Sequence, residues 1–129
     1  MFNNKKAQVY VCEYEPLIVI KVVLKTTTIS KMLCTLKDDV IVIGDISPYS
    51  NKKYYSKGYG SMMMNELIKF AIKKKYNKIK GELSIVDVDH KERLLHFYKK
   101  FGFQILIYDE EKNMNFGEIY KIIEHEKQE

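Results

Sequence analysis

Arginine is nearly absent from this chain: Arg93 stands alone among 22 Lys and Arg residues. Base-edge recognition of nucleic acid leans on the bidentate guanidinium fork, which lysine lacks. The formal charge of +5 therefore reads as a mild positive field suited to an anionic small molecule, and the composition argues against a nucleic-acid partner. Cysteine is scarce too. Cys12 and Cys34 lie in apolar, strand-like stretches, with no CxxC spacing and no histidine beside them. They read as reduced, buried thiols, and no metal site is expected. No apolar run approaches the ~18 residues of a membrane span, and the opening MFNNKKAQ lacks the apolar stretch of a secretory signal. A cytoplasmic protein without a membrane partner is the expectation.

What is present suffices for one core. A fold of 129 residues with 46% apolar content hides about two-thirds of the surface its unfolded chain exposes, so a single domain over 1–129 is expected. Ala7 to Glu15 and Leu17 to Lys25 read as strands broken at Pro16, hence a hairpin. KTTTISK reads as the end of the second strand plus a turn, and Met32 to Leu36 as a short third strand. Lys37-Asp38-Asp39 supplies a polar turn. Val40 to Ile46 (VIVIGDI) is a continuous β-branched run, the pattern of a central strand buried on both faces. Later, Ile79 to Val86 and Phe103 to Tyr108 read as strands, DEEKN as a turn, and Phe116 to Ile123 as a last strand.

Between these lies YYSKGYGSMMMNELIKFA, Tyr54 to Ala71, where Lys57, Gly58 and Gly60 run directly into an amphipathic helix. Met64, Leu67, Ile68, Ala71 and Ile72 share one helical face, and Met62 to Met64 read as packing rather than as ligand-binding sulfurs. Strand, helix and strand make a right-handed crossover between parallel strands. The glycines allow a tight turn and close approach to a ligand, and the first-turn N–H groups can converge on a phosphate. This is neither a Walker loop, which ends in GK[ST], nor the dinucleotide fingerprint, which needs a third glycine where Met63 stands. In the second helix Asp89 and Glu92 form a capping box, Leu94, Phe97, Tyr98 and Phe101 make an apolar stripe, and Gly102 ends it.

The order of these parts, a β-meander, a buried strand, SKGYGS, a helix, a strand and then LLHFYKKFGF, resembles the GCN5-related N-acetyltransferase (GNAT) family over Val40 to Phe103. The carriers are a [QR]xxGx[GA]-like loop and an LYxKxGF-like helix end. The resemblance implies a mixed α/β (α+β) fold of the acyl-CoA N-acyltransferase type, with a central mixed sheet and two main helices. Because the chain before Val40 patterns as strands, the N-terminal helices are expected to be reduced or absent. Acetyl-CoA is implied as the acyl donor. Gly58 and Gly60 match the small loop residues, so Ser56, Lys57, Gly58, Tyr59, Gly60 and Ser61 would hold its pyrophosphate, with Lys53 beside them. Tyr55 stands where the family has Gln or Arg, and Lys91 where it often has the Asn that touches the pantetheine arm. Tyr98 matches the tyrosine that protonates the leaving thiolate. A backbone N–H near Ile46, at the splayed end of its strand, would polarise the thioester carbonyl.

Transfer of acetyl to an amine needs a neutral amine, a polarised carbonyl and a protonated leaving group. A thiol titrating near ~8.5 and a phenol near ~10 are matched closely enough for positioned proton donation. Asp45, Glu82 and Asp87, in or at the ends of the two central strands, are the candidates to receive the amine's proton; His90 and His96 read as surface residues. The expected activity is N-acetylation of a primary amine, on a small molecule or a protein, with an acceptor cleft left open or completed by a second copy in a homodimer. Two alternatives stand beside it: a catalytically silent CoA-binding module acting through a protein partner, and a basic nucleic-acid-binding domain.

Overall fold

The computed structural model describes residues 6–47 and 58–125. In chain order the elements are β1 (Gln8–Tyr14), β2 (Leu17–Leu24), β3 (Thr27–Lys37), β4 (Val40–Ser47), α1 (Tyr59–Lys73), β5 (Lys78–Ser84), a 3-10 turn (Ile85–His90), α2 (Lys91–Lys100), β6 (Gln104–Lys112) and β7 (Asn115–Ile122). The strands form one sheet in the order β1-β2-β3-β4-β5-β7-β6. Only β4 and β5 pair in parallel; every other neighbouring pair is antiparallel.

Both helices lie on one face of that sheet. The crossovers β4-α1-β5 and β5-α2-β6 step along the sheet in the same direction, and right-handedness then puts both on the same side. Burial agrees: Ile18, Ile20, Met32, Ile41, Ile79, Leu83 and Ile119 from the strands meet Met63, Met64 and Leu67 of α1, none more than 1% exposed. The opposite face, which carries Tyr10, Tyr14, Leu17 and Leu33 as exposed residues, has no helix over it among the described residues. Among the described residues, the elements before β4 are strands, in line with the expected reduction of the N-terminal helices.

Several local readings are corrected. β3 begins at Thr27, so most of KTTTISK is strand; its threonines are β-branched strand formers, and the turn contracts around Lys25, at φ 60°. β6 continues through DEEK to Lys112 because an edge strand tolerates charge, and the turn is Asn113-Met114. β5 ends at Ser84, and Asp89 lies inside the 3-10 turn rather than capping α2, whose N-cap is His90. The buried stripe of α1 includes Met63 and Phe70 and leaves Ile72 exposed, a rotation from the expected face. Cys34 is buried, with its thiol pushed up to about 12 by burial, whereas Cys12 is only half-buried on β1.

Gly117 shows how tightly the β5-β7-β6 end is built. A Cβ there would lie 2.5 Å from the Leu106 carbonyl oxygen, whereas at Gly81 it would meet Ile119 at 3.4 Å and Ile43 at 3.5 Å, ordinary contacts. Gly117→Ala should therefore cost about 2 kcal/mol through overpacking and lower Tm by about 5–10 °C. Gly81→Ala should cost clearly less; thermal denaturation of the two variants followed by circular dichroism checks the order.

Candidate active site

The two central strands part company halfway along. β4 pairs with β5 from Val40↔Lys78 to Ile43↔Gly81 and no further, although β4 runs on to Ser47 and β5 to Ser84. A bulge on the other edge of β4 accounts for the parting. Cys34 faces Ile43 but Leu33 faces Asp45, so Gly44 is an extra residue, and bulges bend and twist their strand. Past the bulge β4 stays with β3: the Ser30 hydroxyl donates to the Ser47 carbonyl at 2.6 Å. Among the described residues, the β5-facing backbone of residues 44–47, half-buried Ile46 included, has no strand partner. It lines a wedge open toward the C-terminal ends of both strands.

At the wedge's entrance stands the N-terminus of α1. Gly58 is its N-cap in the left-handed region at φ 83°, a conformation that favours glycine. Among the described residues no side chain caps this end, and its first turn holds no acidic residue. The positive end of the helix dipole and the N–H groups of Gly60 and Ser61 suit an anion. Gly60 lies against α2, where a Cβ would come 3.4 Å from the Phe97 ring. Lys100 of α2 donates to the Ser61 hydroxyl at 2.9 Å, bringing a cation to the same turn. Lys100 was not singled out from the sequence, although it is the lysine of the LYxKxGF-like motif. Lys53, Tyr55, Ser56 and Lys57 lie outside the described residues.

Tyr98 is the one fully buried residue of α2, packed edge-on against Phe97 and Phe103 at centroid distances of 5.3 and 5.4 Å. Its phenol is held well above the usual tyrosine range, first by burial and then by Asp87 and Cys34 nearby. Cys34 faces Ile43, the last paired residue of β4, so Tyr98 lies on the helix side of the sheet beneath the point where the strands separate.

The three carboxylates divide between the two faces. Asp87, half-buried in the 3-10 turn, is close enough to Tyr98 to influence it. Asp45 shares a row with exposed Leu33, and Glu82 follows buried Gly81, so both project from the helix-free face on either side of the wedge. Glu118 of β7 is the direct cross-strand neighbour of Glu82. Asn115, which periodicity left unmarked, donates from its side-chain amide to Glu82 Oε2. Lys91 opens α2 with its ammonium 5.7 Å from the centre of the Phe116 ring. His90 and His96 are exposed, as expected. A groove of about 530 Å³ between α1 and β7, lined by Ile68, Ile72, Gly102 and Ile123, lies apart from all these residues.

Comparison with known proteins agrees with this geometry. YocC of Bacillus subtilis, an uncharacterised protein, is 36% identical over 76 residues; the match covers 59% of this chain and 43% of YocC, so the chain spans less than half the length of that relative. The ribosomal-protein-S18-alanine N-acetyltransferase of Escherichia coli superposes with a TM-score of 0.66 at 13% identity, over 86% of this chain and 72% of its own. The PaiA N-acetyltransferase of Thermoplasma acidophilum, solved in complex with coenzyme A, gives 0.66 at 15% identity, over 83% and 61%. These two likenesses establish the shared fold. The sequence profile of the acetyltransferase (GNAT) family matches residues 32–103, from the middle of β3 to the end of the α2 motif. With more than half of its length inside that profile, the chain belongs to the GNAT family of acetyltransferases.

Proposed function

We propose that this protein is an N-acetyltransferase that moves acetyl from acetyl-CoA to a primary amine by direct attack. The observation that carries the reading is the wedge between β4 and β5, with an uncapped helix end and Lys100 at its entrance, Tyr98 on one side of the sheet and carboxylates on the other. The residues present fit the donor. The first turn of α1 (Tyr59, Gly60 and Ser61), Gly58 and the preceding Ser56 and Lys57 would hold its pyrophosphate, with Lys53, Tyr55 and Lys100 around them. Acetyl-CoA supplies an activated acetyl group and a thiolate leaving group.

The chain's own groups then handle protons. An N–H near Ile46, freed by the wedge, polarises the acetyl carbonyl. Tyr98 donates its phenolic proton to the departing sulfur. Its burial keeps it in the phenol form, the one able to donate, at any ordinary working pH. Glu82, or water ordered by Asp45, takes the proton that the amine nitrogen gives up as the new C–N bond forms. Asp45 and Glu82 beside the wedge favour an amine that arrives as a cation; it releases one proton to water and attacks as the neutral amine.

A second reading keeps acetyl-CoA binding and drops the chemistry: a CoA-binding module acting through a protein partner. It is favoured by the helix-free face, where Tyr14 is 64% exposed beside Leu17 and Leu33. Calorimetric titration with acetyl-CoA tests both readings, and a folded protein that shows no saturable binding would sink them together. Thiol release with a panel containing spermidine, an alanine-terminated peptide and nourseothricin separates them.

Two substitutions probe the parts. Gly60→Glu introduces bulk and negative charge between Phe97 and the first turn of α1, and should abolish acetyl-CoA binding while the circular dichroism spectrum is kept. Retained affinity would place the phosphates elsewhere. Tyr98→Phe should preserve acetyl-CoA affinity and lower kcat by at least about tenfold; an unchanged kcat removes Tyr98 from the reaction.

A further inference from the structure

The hairpin that joins β6 to β7 is built to aim a single amide. β5 and β7 run in step from Lys78↔Ile122 to Leu83↔Gly117, then slip so that Ser84 faces Asn115. Phe116 is the extra residue. In the unslipped register Phe116 would face Ser84 and Asn115 would point to the helix side, because successive residues of a strand alternate between faces. The slip turns Asn115 onto the helix-free face, where its amide donates to Glu82 Oε2. On the other side the tight turn fixes it: Asn113 and Met114 both adopt positive φ, 51° and 68°, an uncommon conformation for methionine. The Met114 carbonyl accepts from the Ile85 N–H at 2.9 Å, tying the turn to the end of β5.

Glu82 needs such a holder. Glu118 lies directly across the strand pair, and like charges in that relation repel. The Tyr108 phenol on β6 also senses both carboxylates, being raised by slight burial, then by Glu118 and Glu82. Left alone, the Glu82 side chain would swing away from Glu118. A neutral amide holds it by a hydrogen bond without closing it into an ion pair. The bond uses one carboxylate oxygen, and a carboxylate can serve a second donor with the other. Among the candidate carboxylates on the described residues, Glu82 alone combines a place at the wedge with a side-chain donor that fixes it.

We propose that Asn115 is a positioning residue that holds Glu82 at the mouth of the wedge, and that Glu82 is thereby the group that accepts the proton of the incoming amine. In the balanced step the amine nitrogen forms the C–N bond to the acetyl carbon, the C–S bond breaks, the sulfur takes the Tyr98 proton, and the nitrogen's proton passes to Glu82. Exchange with solvent then returns one proton to Tyr98 and removes one from Glu82. The inference rests on the transferase reading above.

The test is a double-mutant cycle read by thiol release with whichever amine of the panel turns over, with acetyl-CoA affinity measured by calorimetry. Asn115→Ala and the isosteric Asn115→Asp, which replaces the donor by an acceptor and keeps good turn chemistry, should lower kcat about five- to fiftyfold and leave acetyl-CoA affinity within about twofold. Asn115→Gln should recover part of the rate. In a Glu82→Ala background, Asn115→Ala should cost nothing further. An equal loss in both backgrounds would mean that Asn115 serves only the turn, and an unchanged kcat in Asn115→Asp would overturn the proposal outright. Should Asn115→Ala melt early, Asn115→Asp decides alone. Acetyl-CoA binding without turnover of any amine defeats the transferase reading itself, whereas turnover that falls in Glu82→Ala but not in the Asn115 variants defeats only the role of Asn115.

Discussion

The parting of β4 from β5 is the constraint on which this molecule depends. Parallel strands that paired along their full length would leave no backbone donors free and no passage through the sheet. Here pairing stops at Ile43↔Gly81 and the last residues of β4 are kept by β3 instead, through the Gly44 bulge and the Ser30–Ser47 hydrogen bond. The sheet tolerates the opening because the core below it is dense. Ile41, Ile79, Leu83, Met63 and Met64 are at most 1% exposed, and buried apolar area contributes roughly 25 cal/mol per Å². An interior packed that well can carry a line of unpaired backbone at its rim.

The opening separates two electrostatic environments. On the helix side, the N-terminus of α1, with no acidic residue in its first turn, and the ammonium of Lys100 make a place for negative charge. On the bare side, Asp45, Glu82 and Glu118 flank the opening, with Lys31 and Lys80 on the same face. Buried Tyr98 lies under the sheet between them, protected from ionising by the same packing that positions it. An anionic donor and a cationic acceptor can meet across such a wedge without competing for one surface. The bare face also leaves Tyr14, Leu17 and Leu33 in contact with solvent.

Much of this was legible in the chain. The β-branched run of β4, the glycines at the start of α1 and the LLHFYKKFGF segment are local signals that depend on conformations or contacts within a few residues. β4 is central as expected, but it is buried on the helix face only, Val40 and Val42 being half-buried on the other. Readings that failed did so where the environment overrode local preference. Thr27 and Thr28 look like turn residues but lie in β3 because β2 pairs with them, Leu24↔Thr27 and Val23↔Thr28. The acidic DEEK stays in β6 because that strand is at the sheet's edge. Asp89 offered a capping box, but a 3-10 turn after β5 moved the start of α2 past it.

The sequence by itself determined the family and the order of the elements, and it marked the loop, Tyr98 and the carboxylates as candidates. These follow from periodicity and from motifs whose residues are neighbours in the chain. Only the tertiary structure decided that Asp45 and Glu82 share a face opposite Tyr98, that Lys100 reaches Ser61, and that Asn115 reaches Glu82. The first and last depend on register, where a slip of one residue, as at Gly44 or Phe116, reverses the face of every side chain beyond it, and the second on how α1 and α2 pack together. No local pattern records such a slip, because it comes from the pairing of strands far apart in the chain.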